Sequence, residues 1–271
     1  MTSSVRFALN HMCAPAMSIE AFLATAASLG VDAVEIRNDL PGAAGIADVD
    51  PADVRQAAER HGLTILSINA LQRFNHWTDE RASEAAELIA YAEACGARAL
   101  VLVPANDGTG REDGLRQSNL RNALAALKPM LDGAGLIGLV EPLGFEICSL
   151  RSKTEAVDAI EQLGAQSTFR LVHDTFHHHL AGETPIFPEL TGLVHVSGVT
   201  DAGLAVSEMR DAHRVLVDDE DRLGNVCQIR ALLQGGYAGP FSFEPFAPSV
   251  HALQEPTSAL RESMDYITAR I

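Results

Sequence analysis

A cluster of histidines around one carboxylate is the first feature of this sequence that could do chemistry. The stretch LVHDTFHHHL, residues 171–180, places Asp174 at the end of an apolar run, beside His173, His177, His178 and His179. Imidazoles and carboxylates bind metal ions and carry protons. The stretch therefore indicates either such a site at a strand end or a solvated polar turn.

Two glutamates stand at the ends of similar apolar runs. Glu141 in GLVEP and Glu244 in FSFEP each end an apolar run and are each followed by proline. A carboxylate there is costly to desolvate unless a cation pairs with it, the alternative being a side chain that reaches solvent. Together with Asp174 and with His195 in LVHVS, they make three carboxylates and one imidazole. This set suits Mn²⁺, Mg²⁺, Co²⁺ or Zn²⁺ better than a structural zinc.

Three further side chains are candidates for substrate binding. His177 lies three residues after Asp174, so it is expected to face the same pocket, or else to be a loop histidine. Asn10 and Asn69 follow apolar runs and could bind hydroxyls, although either could instead cap a helix. His173 alternates with Asp174 and should point to the opposite side of its strand.

The elements that must position these residues alternate regularly along the chain. Near-continuous apolar runs predict strands buried on both faces, at residues 5–9, 31–37, 63–69, 98–104, 136–142, 168–174, 193–197 and 240–245. Helical patterns with capping residues lie between them, at 18–30, 50–62, 79–96, 112–135, 152–164, near 184–190, 225–236 and 255–271.

This alternation predicts an α/β protein, a (β/α)8 TIM barrel formed by one domain over residues 1–271. A doubly wound open sheet is the alternative, but no GxGxxG motif follows the first strand. In a barrel the carboxyl ends of the strands converge, so the sequence-distant polar groups become neighbours. The two lysines, Lys128 and Lys153, lie in helical stretches, which disfavours a Schiff-base aldolase.

The composition restricts the class of partner. The formal net charge is −16, which disfavours nucleic acid and anionic membrane surfaces as partners. The four cysteines are scattered without a CxxC spacing, no leader or membrane-spanning segment is evident, and we expect a cytoplasmic protein. The expected partner is a small-molecule substrate, and a homodimer is left open.

With these residues in view, the chain resembles the xylose-isomerase-like barrel superfamily of sugar isomerases and epimerases. It is most similar to the branch of 2-keto-myo-inositol (inosose) isomerases, which act in inositol catabolism. The stretches that carry the resemblance are VEIRNDLPG, LSINALQRFN, VLVP, HDTFHHHLAG, VDDEDR and FSFEPF.

The resemblance implies one divalent metal held by Glu141, Asp174, His195 and Glu244, with His177 and Arg222 binding substrate. It also implies that Glu141 and Glu244 act as acid and base, moving a ketone between adjacent carbons of a non-phosphorylated polyol or cyclitol through an enediolate. The rival readings are a metal-dependent dehydratase, of inosose or dehydroshikimate type, and a ketose 3-epimerase. The long polar segment 199–224 is expected to be a mobile lid.

Overall fold

Eight parallel strands follow one another around a closed barrel in the computed structural model of this chain, which describes residues 5–40, 45–46 and 48–271. Each strand pairs with its neighbours in sequence, and the last pairs with the first. The predicted (β/α)8 barrel is therefore confirmed. The strands are β1 (Phe7–Asn10), β2 (Ala33–Arg37), β3 (Thr64–Gln72), β4 (Ala99–Val103), β5 (Ile137–Val140), β6 (Phe169–Asp174), β7 (Thr191–Val196) and β8 (Phe241–Phe243).

Helices cover the outside of the barrel and begin where the sequence predicts caps. The side chains of Ser18, Asp50 and Ser152 accept hydrogen bonds from the first turns of their helices. Among the described residues, the helices fall short of the length and apolar character needed to cross a membrane. They are α1 (Ile19–Leu29), α2 (Pro51–Arg60), α3 (Asp79–Cys95), α4 (Leu115–Ala134), α5 (Lys153–Gln162), α6 (Thr175–Ala181), α7 (Asn225–Gln234), α8 (Pro248–His251) and α9 (Pro256–Thr268).

The helix after β6 lies earlier than the sequence predicts. Residues 184–190 are not helical, and α6 instead starts directly after Asp174. The Asp174 carboxylate accepts hydrogen bonds from the backbone N–H groups of Phe176 and His177, at 2.8 and 3.0 Å, and so caps this helix. Pro185 and Pro188 disfavour a helix in the predicted segment, because each lacks a backbone donor.

Side chains inside the barrel change from apolar to polar along its axis. An apolar cluster from β3 to β7 fills one level, and it includes Val172 and Leu193. Two residues further along their strands, on the same face, stand Asp174 and His195. The carboxyl ends of the strands therefore surround a polar chamber above an apolar floor. Pro41 and Gly42, which end the VEIRNDLPG motif, lie outside the described residues.

Candidate metal centre and active site

The four predicted metal ligands come together at the carboxyl end of the barrel. Glu141 directly follows β5, Asp174 ends β6, His195 lies in β7 and Glu244 directly follows β8. Each offers a ligand atom, and these atoms all lie within 4.8 Å of one another. All four residues are buried, with at most 4% of their surface exposed. Four neighbouring strands thus supply one buried group each, which we call the four-residue cluster.

His195 stands at the centre of this cluster. Its Nδ1 atom lies 2.8 Å from Glu141 Oε1, 3.2 Å from Glu244 Oε2 and 3.8 Å from Asp174 Oδ2. Burial alone would lower the pKa of His195, but the charges of Glu244, Glu35 and Glu141 raise that pKa well above its usual value. The carboxylates around His195 therefore favour positive charge at this position.

Two buried arginines partly neutralise the carboxylates. Arg214 Nη2 donates to Asp174 Oδ2 at 2.7 Å and to Glu244 Oε2 at 3.0 Å. Arg37 Nη1 donates to Glu244 Oε1 at 2.7 Å, while its other nitrogens bind the Asp39 carboxylate. Burial would raise the pKa of Asp174, yet Arg214, His177 and His195 hold it well below its ordinary value. The carboxylate of Asp174 is therefore charged.

The two glutamates of the cluster differ in how their oxygens are held. Both oxygens of Glu244 are engaged, because Arg37 and Asn10 donate to Oε1 and Arg214 donates to Oε2. Glu141 Oε1 contacts His195, and among the described residues Oε2 receives no hydrogen bond. Burial raises the pKa of Glu244 to about 7, with Glu141 adding to the rise and His195, Arg214 and Arg37 opposing it.

The predicted substrate-binding residues reach different places. His177 is buried, its Nδ1 has no hydrogen-bond partner in the part of the chain that the structure describes, and burial lowers its pKa. Asn10 caps the short 3₁₀ helix His11–Cys13, one of its two predicted roles, and also donates to Glu244 Oε1 at 3.2 Å. Asn69 contacts Glu35, one level below the cluster, at 2.8 Å.

Arg222 is not brought to the four-residue cluster by any hydrogen bond or ion pair among the described residues. Its guanidinium donates to the backbone carbonyls of Asp201 and Leu204, and so ties two parts of segment 199–224 together. The arginine of this segment that reaches the cluster is Arg214, which the sequence reading did not select. The only sequence signal for it is that the segment contains three arginines, Arg210, Arg214 and Arg222.

Segment 199–224 covers the site and is packed against α6. Val199, Met209 and Leu223 are buried with Phe176 in a small apolar cluster. The Arg214 guanidinium lies between the rings of Phe176 and Phe246, 5.1 and 4.6 Å from their centroids. The segment therefore forms a cover that carries a charged group down to the carboxylates.

A cavity of about 620 Å³ lies between this cover and the loop after β5. Phe145 lines it and also packs edge-on against the His177 ring, with centroids 5.1 Å apart. Asp211 lines it as well and lies 3.4 Å from Arg214 Nη1. The space therefore adjoins two residues that contact the cluster, and its size suits a small ligand.

A second cluster contains two of the other histidines of the HDTFHHH stretch, His173 and His178. His173 faces outward from β6, where its Nδ1 lies 3.1 Å from Lys153 Nζ and its Nε2 lies 2.8 Å from Gln228 Oε1. His178 Nδ1 lies 2.6 Å from the same lysine nitrogen. We call Lys153, His173 and His178 the outer cluster. The outer cluster lies between β6, α5 and α6. His173 therefore points away from Asp174, as the sequence predicts.

The four-residue cluster is suited to a divalent cation. Three carboxylates and an imidazole converge in a buried chamber, and carboxylates crowded in this way repel one another unless a positive charge lies among them. Arg37 and Arg214 supply two positive charges beside these groups. An oxygen-rich set with one nitrogen is a donor set for Mn²⁺, Mg²⁺, Co²⁺ or Zn²⁺.

Comparison with known proteins independently supports the barrel fold. A family model described as "Xylose isomerase-like TIM barrel" matches residues 23–270. No curated protein matches the sequence. A xylose isomerase domain containing protein from Salmonella typhimurium LT2 is 35% identical, with a TM-score of 0.89 over 98% of this chain and 96% of the other.

Two more distant structures share the fold. The IolI protein with a bound zinc atom is 18% identical, with a TM-score of 0.88 over 98% of this chain and 99% of the other. D-psicose 3-epimerase from Clostridium cellulolyticum H10, in complex with D-tagatose, is 14% identical, with a TM-score of 0.71 over 98% of this chain and 99% of the other.

Proposed function

Because this chain belongs to the xylose isomerase-like TIM barrel family, we propose that it is a divalent-metal-dependent sugar isomerase. Its reaction moves a ketone between adjacent carbons of a non-phosphorylated polyol or cyclitol of the 2-keto-myo-inositol kind. The observation that carries this proposal is the convergence of Glu141, Asp174, His195 and Glu244, with ligand atoms within 4.8 Å of one another. Two glutamates in such a cluster can serve both as metal ligands and as proton carriers.

The cluster would hold the metal, and the remaining groups would hold the substrate. When bound, a divalent cation polarises a carbonyl and stabilises negative charge on its oxygen. His177 presents a buried Nδ1 beside the cluster that no described residue hydrogen-bonds, and we assign this atom to a substrate hydroxyl. Arg214 offers a buried guanidinium that can hold an anionic oxygen.

The unequal surroundings of the two glutamates support different roles for them. Glu141 has an oxygen that no described residue holds, so we assign it the removal of the proton next to the ketone. Glu244 lies at the other end of the four neighbouring strands, so we assign it the return of a proton to the neighbouring carbon. The proton removed and the proton returned then belong to different residues on opposite sides of the cluster.

Segment 199–224 would exclude water during this exchange. It brings Arg214 over the carboxylates and closes the chamber with Met209 and Val199, which are fully buried. Arg222 is then a residue that holds the cover together through Asp201 and Leu204, rather than one that binds substrate directly. We propose a small keto-polyol as the only partner class that the reaction needs, and neither nucleic acid nor a membrane surface.

The test is turnover of 2-keto-myo-inositol by the Mn²⁺-, Mg²⁺-, Co²⁺- or Zn²⁺-loaded protein in D₂O, followed by NMR. A shifted ketone with deuterium at the adjacent carbon is the expected result. An enone product would establish a dehydratase instead, and inversion at the proton-bearing carbon would establish an epimerase. Unchanged substrate with all four metals would reject this substrate class.

The separate roles of the glutamates are tested in the same experiment. Glu141→Gln should stop both deuterium incorporation into the substrate and product formation, because the proton is never removed. Glu244→Gln should stop product formation while the substrate still exchanges its proton for deuterium. Exchange by Glu141→Gln but not by Glu244→Gln would reverse the assignment.

A further inference from the structure

Glu35 lies below the four-residue cluster, inside the barrel, and is fully buried. Ser67 Oγ and Asn69 Nδ2 lie 2.6 and 2.8 Å from its Oε2 atom, and Ser242 Oγ lies 2.5 Å from Oε1. His195 Nε2 lies 3.2 Å from both oxygens. Side chains from β3, β7 and β8 thus converge on one carboxylate that the proposed reaction does not use.

These partners require Glu35 to be an acceptor. An amide nitrogen such as Asn69 Nδ2 can only donate, and an ionised carboxylate can only accept. Ser67 Oγ also donates to Oε2, and Ser242 Oγ donates to Oε1, so both oxygens accept hydrogen bonds and the carboxyl carries no proton of its own. A charged Glu35 would repel a lone pair on His195 Nε2, so that nitrogen must carry a hydrogen.

From this hydrogen-bond pattern we infer that Glu35 is a positioning residue that holds the proton of His195 on Nε2, so that Nδ1 is the atom offered to the metal. A neutral imidazole carries one proton, and a metal binds the nitrogen without it. Nδ1 is also the nitrogen that faces Glu141, Glu244 and Asp174. A carboxylate behind a histidine ligand fixes the ring and raises its basicity as a ligand.

Glu35 and Arg37 are the two charged residues of β2. They are two residues apart on β2 and lie on the same inner face, at two levels of the chamber. Arg37 holds the Glu244 ligand through Oε1, and Glu35 holds the His195 ligand through Nε2. One strand that supplies no ligand thus orients two of the four.

This inference rests on the proposed metal centre but not on the identity of the substrate. The test compares zinc affinity in the purified wild-type protein, Glu35→Gln and Ser242→Ala, measured by competition with a chromophoric chelator. Ser242→Ala is the matched control, because the hydrogen bond that its side chain makes among the described residues goes to Glu35 and to none of the four ligands. We expect Glu35→Gln to weaken zinc binding by about 10- to 100-fold, and Ser242→Ala to remain within about 3-fold of wild type.

A second measurement does not depend on whether a Glu35 variant folds. Long-range ¹⁵N–¹H spectra of the zinc-loaded wild-type protein, labelled with ¹⁵N-histidine and assigned by comparison with His195→Gln, report which nitrogen is protonated. We expect a proton on Nε2 and zinc on Nδ1. Zinc on Nε2, or zinc affinity of Glu35→Gln within about 3-fold of wild type, would overturn the inference.

The outcomes separate this inference from the proposed activity. Zinc binding with a protonated Nε2 but no turnover of any ketose would support the role of Glu35 and reject the isomerase. The absence of any zinc binding by the wild-type protein would overturn both.

Discussion

His195 and His173 are buried imidazoles on the neighbouring strands β7 and β6, yet their proton affinities are shifted in opposite directions. His195 faces the carboxylates of Glu35, Glu141 and Glu244, which raise its pKa despite burial. Burial, Lys153 and His178 lower the pKa of His173 well below its usual value. The depth of burial is the same, so the sign of the neighbouring charges decides the difference.

This contrast distinguishes a binding chamber from a structural contact. The four-residue cluster has excess negative charge and an oxygen of Glu141 that no described residue engages, so it can accept a cation. In the outer cluster, hydrogen bonds to the lysine and to Gln228 engage both ring nitrogens of His173. The following predictions test whether the two clusters are as different as this comparison claims.

The largest effect is expected from His195→Ala. Losing a ligand at the centre of the cluster should weaken zinc binding by at least about 100-fold, since removal of residues that merely support ligands already costs 10- to 100-fold. Turnover should fall below detection. Zinc titration with a competing chelator and the ketose assay in D₂O measure the two effects, and near-normal affinity would show that the metal lies elsewhere.

Arg214→Gln should separate substrate binding from metal binding. Removing a positive charge beside Asp174 and Glu244 should leave zinc affinity unchanged or tighter, because the cation meets less repulsion. Loss of a buried group that holds a substrate oxygen should lower kcat/KM by about 100-fold. Arg261→Gln is the control, since the exposed Arg261 lies on the outer helix α9 and donates to the Ser28 carbonyl of α1; an equal loss in this control would contradict the assignment.

Lys153→Met should change how stability depends on pH. Burial lowers the pKa of Lys153 from 10.5 to about 7 in the folded protein. Between these pH values unfolding takes up a proton, so wild-type stability rises with pH, and the lysine is most destabilising at and below pH 7. The difference in the free energy of unfolding, variant minus wild type, should therefore be about 2–4 kcal/mol larger at pH 7 than at pH 10.

Urea denaturation of both proteins at the two pH values measures this difference. A relative stability that stays the same at both values would show that Lys153 has an ordinary pKa. The neighbours that face Lys153 are His173, His178 and Glu183, and Lys153→Met leaves all three in place.

The smallest effect is expected from His173→Leu. This change leaves Gln228 Oε1 without its hydrogen bond to the ring and removes one acceptor from Lys153, which should cost about 1–3 kcal/mol of stability. Zinc affinity should stay within about 3-fold of wild type, since the ring faces away from the ligands. A metal-binding defect as large as that of His195→Ala would erase the distinction between the clusters.

The comparison with the sequence reading is clearest at Asp174. Its position at the end of an apolar run, and its alternation with His173, were enough to predict that it faces the chamber while His173 does not. That Asp174 also caps α6 was missed, because a single carboxylate can bind a cation, an arginine and a helix terminus at once. The prediction of a helix near 184–190 was wrong, because Asp174 acts as the N-cap and α6 therefore begins at Thr175.

The sequence by itself determined the barrel and the four groups at its carboxyl end, because buried parallel strands have a strong apolar pattern and polar residues at their ends stand out against it. Only the tertiary structure decided that Arg214 rather than Arg222 reaches the cluster, because the spacing of residues along the sequence does not determine the path of a loop. It also decided the part played by Glu35, whose partners are 32, 34, 160 and 207 residues away. The contacts with His195 on β7 and Ser242 on β8 form only when the barrel closes.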